Sequence, residues 1–255
     1  MNKKIVFKEK SYNYENSNLN ITELKKEFEY LANPDKAKSY QRFFKTGKGE
    51  YGEGDIFLGI TVPEQRKIAC KYSKLSLKEI EELLHSPFHE YRLTALIMLV
   101  NGTKSKKISA LEREELFNFY LKNTRYINNW DLVDISAPHV VGNYLLSKGT
   151  KERQIIYQLA NSKDLWEKRV SIIATFAFIK QEQFNYTLKI AEILLTDKHD
   201  LIHKAVGWML REVGKKDQNI EEEFLLKYYK IMPRTMLRYA IEKFDSEKRQ
   251  FYLRK

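Results

Sequence analysis

Apolar residues in this chain recur mainly at helical spacing. Leu77, Ile80, Leu83 and Leu84 mark one run, and Leu93, Leu96, Ile97 and Val100 mark a second; each spacing puts an apolar stripe on one side of a helix. Helix punctuation separates such runs. Thr61 with Glu64, Ser76 with Glu79 and Ser109 with Glu112 each place a glutamate three residues after a hydroxyl. In this capping-box pattern the two side chains satisfy backbone N–H groups left open at a helix start. Asn33-Pro34 and Ser86-Pro87 add cap and first-turn signals. No segment reads convincingly as a strand. With 5 Pro, 10 Gly and no long loop-like stretch between two halves, no domain linker is expected. The pattern predicts an all-α fold.

A basic or indole residue recurs near the start of alternate helices, at Arg92, Trp130, Arg169, Lys204 and Arg238, with spacings of 38, 39, 35 and 34 residues. That period suits two-helix repeats of the HEAT or armadillo kind, in which each pair buries its apolar face only against its neighbours. The expectation is an α-solenoid of HEAT-like helical repeats forming a single domain over residues 1–255, with 1–19 a poorly ordered or short extension. Such an array offers a long concave face on which equivalent residues stand in a row. Residues 46–54 contain a literal G-x-G-x-x-G, but the segment before it looks helical and nothing after it makes a βαβ unit. It reads as a loop that closes over a polyanion or merely connects elements, the connector being the plainer reading.

Charge narrows the partner. The chain carries 45 Lys and Arg against 34 Asp and Glu, a net +11, spread along its length rather than gathered into one amphipathic anchor. This favours nucleic acid over membrane. A single cysteine, Cys70, in the apolar run Ile68-Ala69-Cys70, excludes a disulfide framework and reads as a buried thiol in a reducing cytoplasm. The polar N-terminus has no apolar signal region and no span long enough for a bilayer, so a cytoplasmic protein is expected. His199 and His203 stand four apart, but nothing nearby completes a metal site; a solvated helix start is the better reading, and no metal or cofactor is expected.

The stretch with most chemistry is Trp130-Asp131-Leu132-Val133-Asp134. On a helix, Trp130 and Asp134 share one face a turn apart while Asp131 points elsewhere. An acid beside a large aromatic suits an active site; the alternative makes Asp134 a cap and Trp130 core, with Ser136 and Pro138 opening a new helix. Farther on, Arg169 begins a strongly apolar helix, and Lys204, Gly207, Trp208 and Arg211 share another. Gly207 costs helix propensity, which fits a close backbone approach. One face would gather Trp130, Asp134, Arg169, Trp208 and Arg211.

These residues resemble a known family, the bacterial alkylpurine DNA glycosylases built from HEAT-like repeats, the AlkD family. The resemblance rests on Trp130-Asp131-Leu132-Val133-Asp134, Trp166-Glu167-Lys168-Arg169 and Lys204-Ala205-Val206-Gly207-Trp208-Met209-Leu210-Arg211-Glu212. Phe57-Leu58-Gly59-Ile60 and Pro63-Glu64-Gln65-Arg66 support it, and it covers roughly residues 20–245. It implies that Asp134 is the catalytic carboxylate, that Trp130 and Trp208 contact the lesion's deoxyribose, and that Arg169 stands beside them. Tyr40 would line the cleft and Arg211 would support DNA binding; Lys204 and Arg238, basic residues near inner-helix starts, are expected to bind DNA from their place on the concave face. The Gly-rich loop is longer than the link in the best-known members. The implied activity is hydrolysis of the N-glycosidic bond of positively charged N3- or N7-alkylated purines in double-stranded DNA by a monomeric, monofunctional enzyme. The competing readings are a non-catalytic binder of distorted or branched DNA and a protein-interaction scaffold.

Overall fold

The structure, a computed structural model, describes residues 19–254; the expectation for residues 1–19 lies, apart from Leu19, outside the described residues. Sixteen α-helices follow in order: α1 (Ile21–Leu31), α2 (Pro34–Phe43), α3 (Val62–Lys71), α4 (Leu77–Leu84), α5 (His89–Lys104), α6 (Ala110–Lys122), α7 (Trp130–Ala137), α8 (Asn143–Leu146), α9 (Ile155–Ala160), α10 (Leu165–Ala174), α11 (Phe176–Lys180), α12 (Asn185–Ile193), α13 (Asp200–Gly214), α14 (Gln218–Tyr228), α15 (Arg234–Ala240) and α16 (Ser246–Leu253). Among the described residues the one strand-like feature is an isolated bridge between Ile56 and Phe88.

The local signals act where the sequence puts them. All three capping boxes form, at the starts of α3, α4 and α6. In α6 the Ser109 N–H donates to Glu112 at 2.7 Å and the Glu112 N–H returns to the Ser109 hydroxyl at 3.2 Å. Asn33 caps α2 by accepting from the Lys36 N–H at 3.0 Å, with Pro34 at the first helical position. Ser86-Pro87 differs: the Ser86 hydroxyl accepts from the Phe88 N–H at 3.1 Å and shapes a turn, and α5 starts only at His89. Pro138 does not open an ordinary helix either. It begins a π-helical turn, Pro138–Gly142, which joins α7 to α8; such wide turns are frequent beside functional sites.

Helices α5, α7, α10, α13 and α15 pack one against the next as an inner row. Arg92, Trp130, Arg169, Lys204 and Arg238 each lie on one of them, so the period read from the sequence is the period of the array. The fold is an α-solenoid of HEAT-like repeats. Helix α5 is buried on every side from His89 to Val100, which is why its sequence shows little amphipathicity. The α13–α15 contact depends on Gly207, where an added Cβ would lie 2.4 Å from the Met236 carbonyl oxygen and 2.5 Å from the Tyr239 Cβ. The close approach expected of this glycine is real.

Cys70 departs from expectation. It is exposed, because Ile68 and Ala69 take the buried face of α3 and Cys70, about 200° beyond Ile68 around the helix, turns outward.

Candidate active site

The site is built outward from the first turn of α7. Asn129 is its cap, accepting from the Trp130 N–H at 2.8 Å; the turn that begins at Pro138 has no side-chain cap, so Asp134 does not serve as one there. Both Asp134 oxygens face α10 instead. Arg169 donates from Nε to Oδ1 and from Nη2 to Oδ2, each at 2.8 Å, and its Nη1 donates to the Leu201 carbonyl at 2.6 Å. Arg169 is 5% exposed, and each of its three guanidinium nitrogens donates within this cluster, so the guanidinium is fixed against Asp134. The Asp134 side chain keeps 17% exposure. Burial pushes its carboxyl above the usual carboxylate range, with Arg169 opposing and Asp131 reinforcing the rise.

Asp134 opens into a cavity of about 600 Å³. Trp130 and Asp134 come from α7, Arg169 from α10, and Lys204, Trp208 and Arg211 from α13. The structure therefore brings together the residues that the sequence spreads over 82 positions. Trp130 and Trp208 are both partly buried against the core, and each has a wet edge toward the cavity. The Trp208 indole N–H donates to Glu212 at 3.0 Å. Lys204 is paired with Asp200 at 2.6 Å, and Arg211 with Glu242 and, at 3.4 Å, Glu212.

Two expected residues lie elsewhere. Tyr40 packs edge-on to Phe57, ring centroids 6.0 Å apart, and opens onto an adjoining apolar cavity of about 840 Å³ that shares Phe43, Trp130 and Asp134 with the first. Arg238 is exposed on α15 outside the cavity, while the next residue, Tyr239, lines it. With Tyr239, the further aromatic side chains on the wall are Phe43, at the end of α2, and Tyr51, on the Gly-rich loop. The loop thus borders the site rather than merely connecting helices. Burial raises the Tyr51 phenol above the ordinary value, with the neighbouring Trp130 indole opposing the rise.

Behind Trp130 lies a buried polar cluster that the sequence did not reveal. His89, the first residue of α5, presents Nδ1 to Asp55 Oδ2 at 3.0 Å and Nε2 to Asp131 Oδ2 at 2.8 Å. Asp131, expected to point elsewhere, is thereby tied to α5. Arg92 Nη2 donates to Asp55 at 2.6 Å, and Asn129 Nδ2 donates to it at 3.2 Å. Glu90, next to His89, accepts from the backbone N–H groups of Leu58, Gly59 and Ile60 at 2.9, 2.8 and 3.3 Å. The start of α5 therefore grips the loop at two points. His199 and His203 behave as a helix start: His199 accepts from the Leu201 N–H at 3.1 Å, and His203 contacts the Asp197 carbonyl at 2.6 Å. His85 contacts Asn123 at 2.7 Å.

The family model for DNA alkylation repair enzymes matches residues 24–244. No curated protein matches the sequence. Among solved structures, one named as a predicted DNA alkylation repair enzyme from Enterococcus faecalis is similar, with a TM-score of 0.66 at 18% identity, over 85% of this chain and 98% of that one. At that identity the likeness is one of fold.

Proposed function

The chain belongs to the DNA alkylation repair enzyme family, and from that premise we propose that it is a monofunctional DNA glycosylase, a single repeat domain that hydrolyses the N-glycosidic bond of positively charged N3- or N7-alkylated purines in duplex DNA. The observation that carries this reading is Asp134: a carboxylate held bidentately by Arg169, partly open to a cavity, and bordered by two indoles.

The chemistry follows from the substrate's charge. An alkylated purine of this kind is already cationic, so it leaves without much acid catalysis; the unstable species is the sugar's oxocarbenium ion. The ionised Asp134 faces that developing charge and orients the attacking water, as carboxylates do in glycoside hydrolysis. Arg169 contributes by keeping the carboxylate charged and fixed against the tendency of burial to neutralise it. The indole faces of Trp130 and Trp208 favour a cationic sugar over a neutral one. A lyase step would need a neutral amine. Lys204, on the cavity wall, is hydrogen-bonded to Asp200, which holds its pKa above the ordinary lysine value and leaves it a poor Schiff-base nucleophile.

Incubation with a duplex carrying one N7-methylguanine, followed by alkaline cleavage, tests the proposal. Strand breaks only after base treatment support a monofunctional glycosylase. Binding without excision would leave a non-catalytic reader of distorted DNA, and the absence of salt-dependent DNA binding would leave a protein scaffold.

A further inference from the structure

We propose that His89 is a positioning residue: a doubly protonated imidazole, clamped between Asp55, which directly follows the Gly-rich loop, and Asp131 of α7, that ties the end of the loop to the helix and fixes the Trp130 indole beside Asp134. Its catalytic consequence rests on the glycosylase reading; the clamp itself does not.

The geometry requires two donors. Both ring nitrogens stand within hydrogen-bond reach of carboxylate oxygens, at 3.0 and 2.8 Å, and a neutral imidazole has one N–H, so one carboxylate would meet a bare lone pair. Charge agrees. Asp55 and Asp131 bring two negative charges and Arg92 one positive; the imidazolium supplies the second and closes the balance in a site where His89 and Asp55 side chains are each 2% exposed. Arg92 Nη2 also lies 3.5 Å from Nδ1. That contact favours the neutral ring, but Arg92 makes its short bond to Asp55. Glu90 is spent on backbone N–H groups, and the two rings that face the imidazole, Phe44 and Phe57, bring no charge. Burial works against the proton, yet Asp131 and Asp55 outweigh it and raise His89 to about 9.

The clamp reaches Trp130 by two routes. Asp131 and Asn129, its chain neighbours, are both bonded into the cluster. Phe57 and Phe44 also pack on the imidazole, with centroids 4.6 and 4.9 Å away, and Phe44 stacks on Trp130 at 5.4 Å and 21°. A cation under two aromatic rings, one of them carrying the indole, sets where that indole stands. Loss of the proton as pH rises through about 9 leaves one carboxylate oxygen facing a bare ring nitrogen and loosens the tie between Asp55 and the first turn of α7, which then rests on the Asn129 bond alone.

The test uses the full chain with Trp166→Phe and Trp208→Phe, which leaves Trp130 as the sole indole, and follows its emission from pH 6.5 to 10. The expected result is a transition near pH 9. It moves to lower pH in Asp131→Asn, by about 1–3 units for removal of a close opposite charge, and is absent in His89→Gln. In the chain with all three tryptophans, His89→Gln should lower single-turnover excision of N7-methylguanine about 10–100-fold, the cost of a misplaced group, with duplex affinity unchanged. Emission that is flat with pH, or that titrates identically in His89→Gln, overturns the clamp. If the parent protein excises nothing, the glycosylase reading fails and the emission titration still decides the role of His89.

Discussion

Replacing Asp134 by Asn keeps the side-chain shape and removes the charge proposed to face the oxocarbenium ion. Two effects follow and must be separated. In the native site both oxygens accept from Arg169 at 2.8 Å; in the variant one oxygen accepts and the amide nitrogen confronts the other guanidinium donor. The arginine, 5% exposed, is then a buried cation without its counter-ion, which costs about 3–5 kcal/mol of stability. Against a total of about 5–15 kcal/mol that is a large share, so the variant melts earlier and its folded fraction at 25 °C is measured before its excision is compared. The catalytic loss should be on the order of 10²–10³-fold, as for removal of one preorganised electrostatic stabiliser. It is bounded below by the spontaneous departure of the alkylated base. Single-turnover excision at 25 °C, with affinity measured on an uncleavable duplex and thermal melting run alongside, distinguishes the two. Excision at the parent rate by a destabilised Asp134→Asn would show that the Asp134–Arg169 pair is architecture alone and would refute the mechanism.

Three further outcomes are expected. Trp130→Ala and Trp208→Ala should each lower excision more than duplex affinity, because a cation–π contribution of about 0.5–2 kcal/mol acts once the sugar is cationic; equal losses in both, with a large fall in melting temperature, would make that indole a packing residue. Lys204→Ala and Arg211→Ala should weaken binding to any duplex and reduce the salt slope by about one unit for each phosphate no longer neutralised, measured as log Kd against log salt; an unchanged slope in both would move the DNA-binding face elsewhere. The excision rate should fall on acidification with a midpoint above the usual carboxylate range, since burial raises Asp134 and protonation removes the working charge. That limb should vanish from the residual activity of Asp134→Asn, and its persistence there would assign it to another group.

Much of the array was legible because its signals are local. A hydroxyl and a glutamate three residues apart need only one turn of helix to meet, and all three such pairs formed. The repeat mark was legible because stacking places equivalent positions in register. Trp130, Asp134, Arg169 and Trp208 were found as types of residue; the bidentate Arg169 grip was not, since nothing in a sequence chooses between a phosphate and a carboxylate 35 positions away. Tyr51 was missed for a different reason. A Gly-rich segment reads as slack, yet Gly49, Gly54 and Gly59 take positive φ values that let the chain double back and deliver Tyr51 to the wall. The His89 cluster joins residues 34 and 42 positions apart. Its one sequence signal was a His-Glu-Tyr-Arg start to a helix otherwise apolar enough to be buried all round.

Arg169 holds a carboxylate from α7 while standing on α10 and donating to the first turn of α13. Repeat proteins are commonly treated as strings of exchangeable units, in which a module can be duplicated or excised at the cost of one interface. Here three successive units meet in a single side chain, so the string is keyed at that point. Copies added beyond α15 would lengthen the molecule and leave this keystone alone. A copy inserted between α7 and α13 would separate the guanidinium from its carboxylate or its carbonyl.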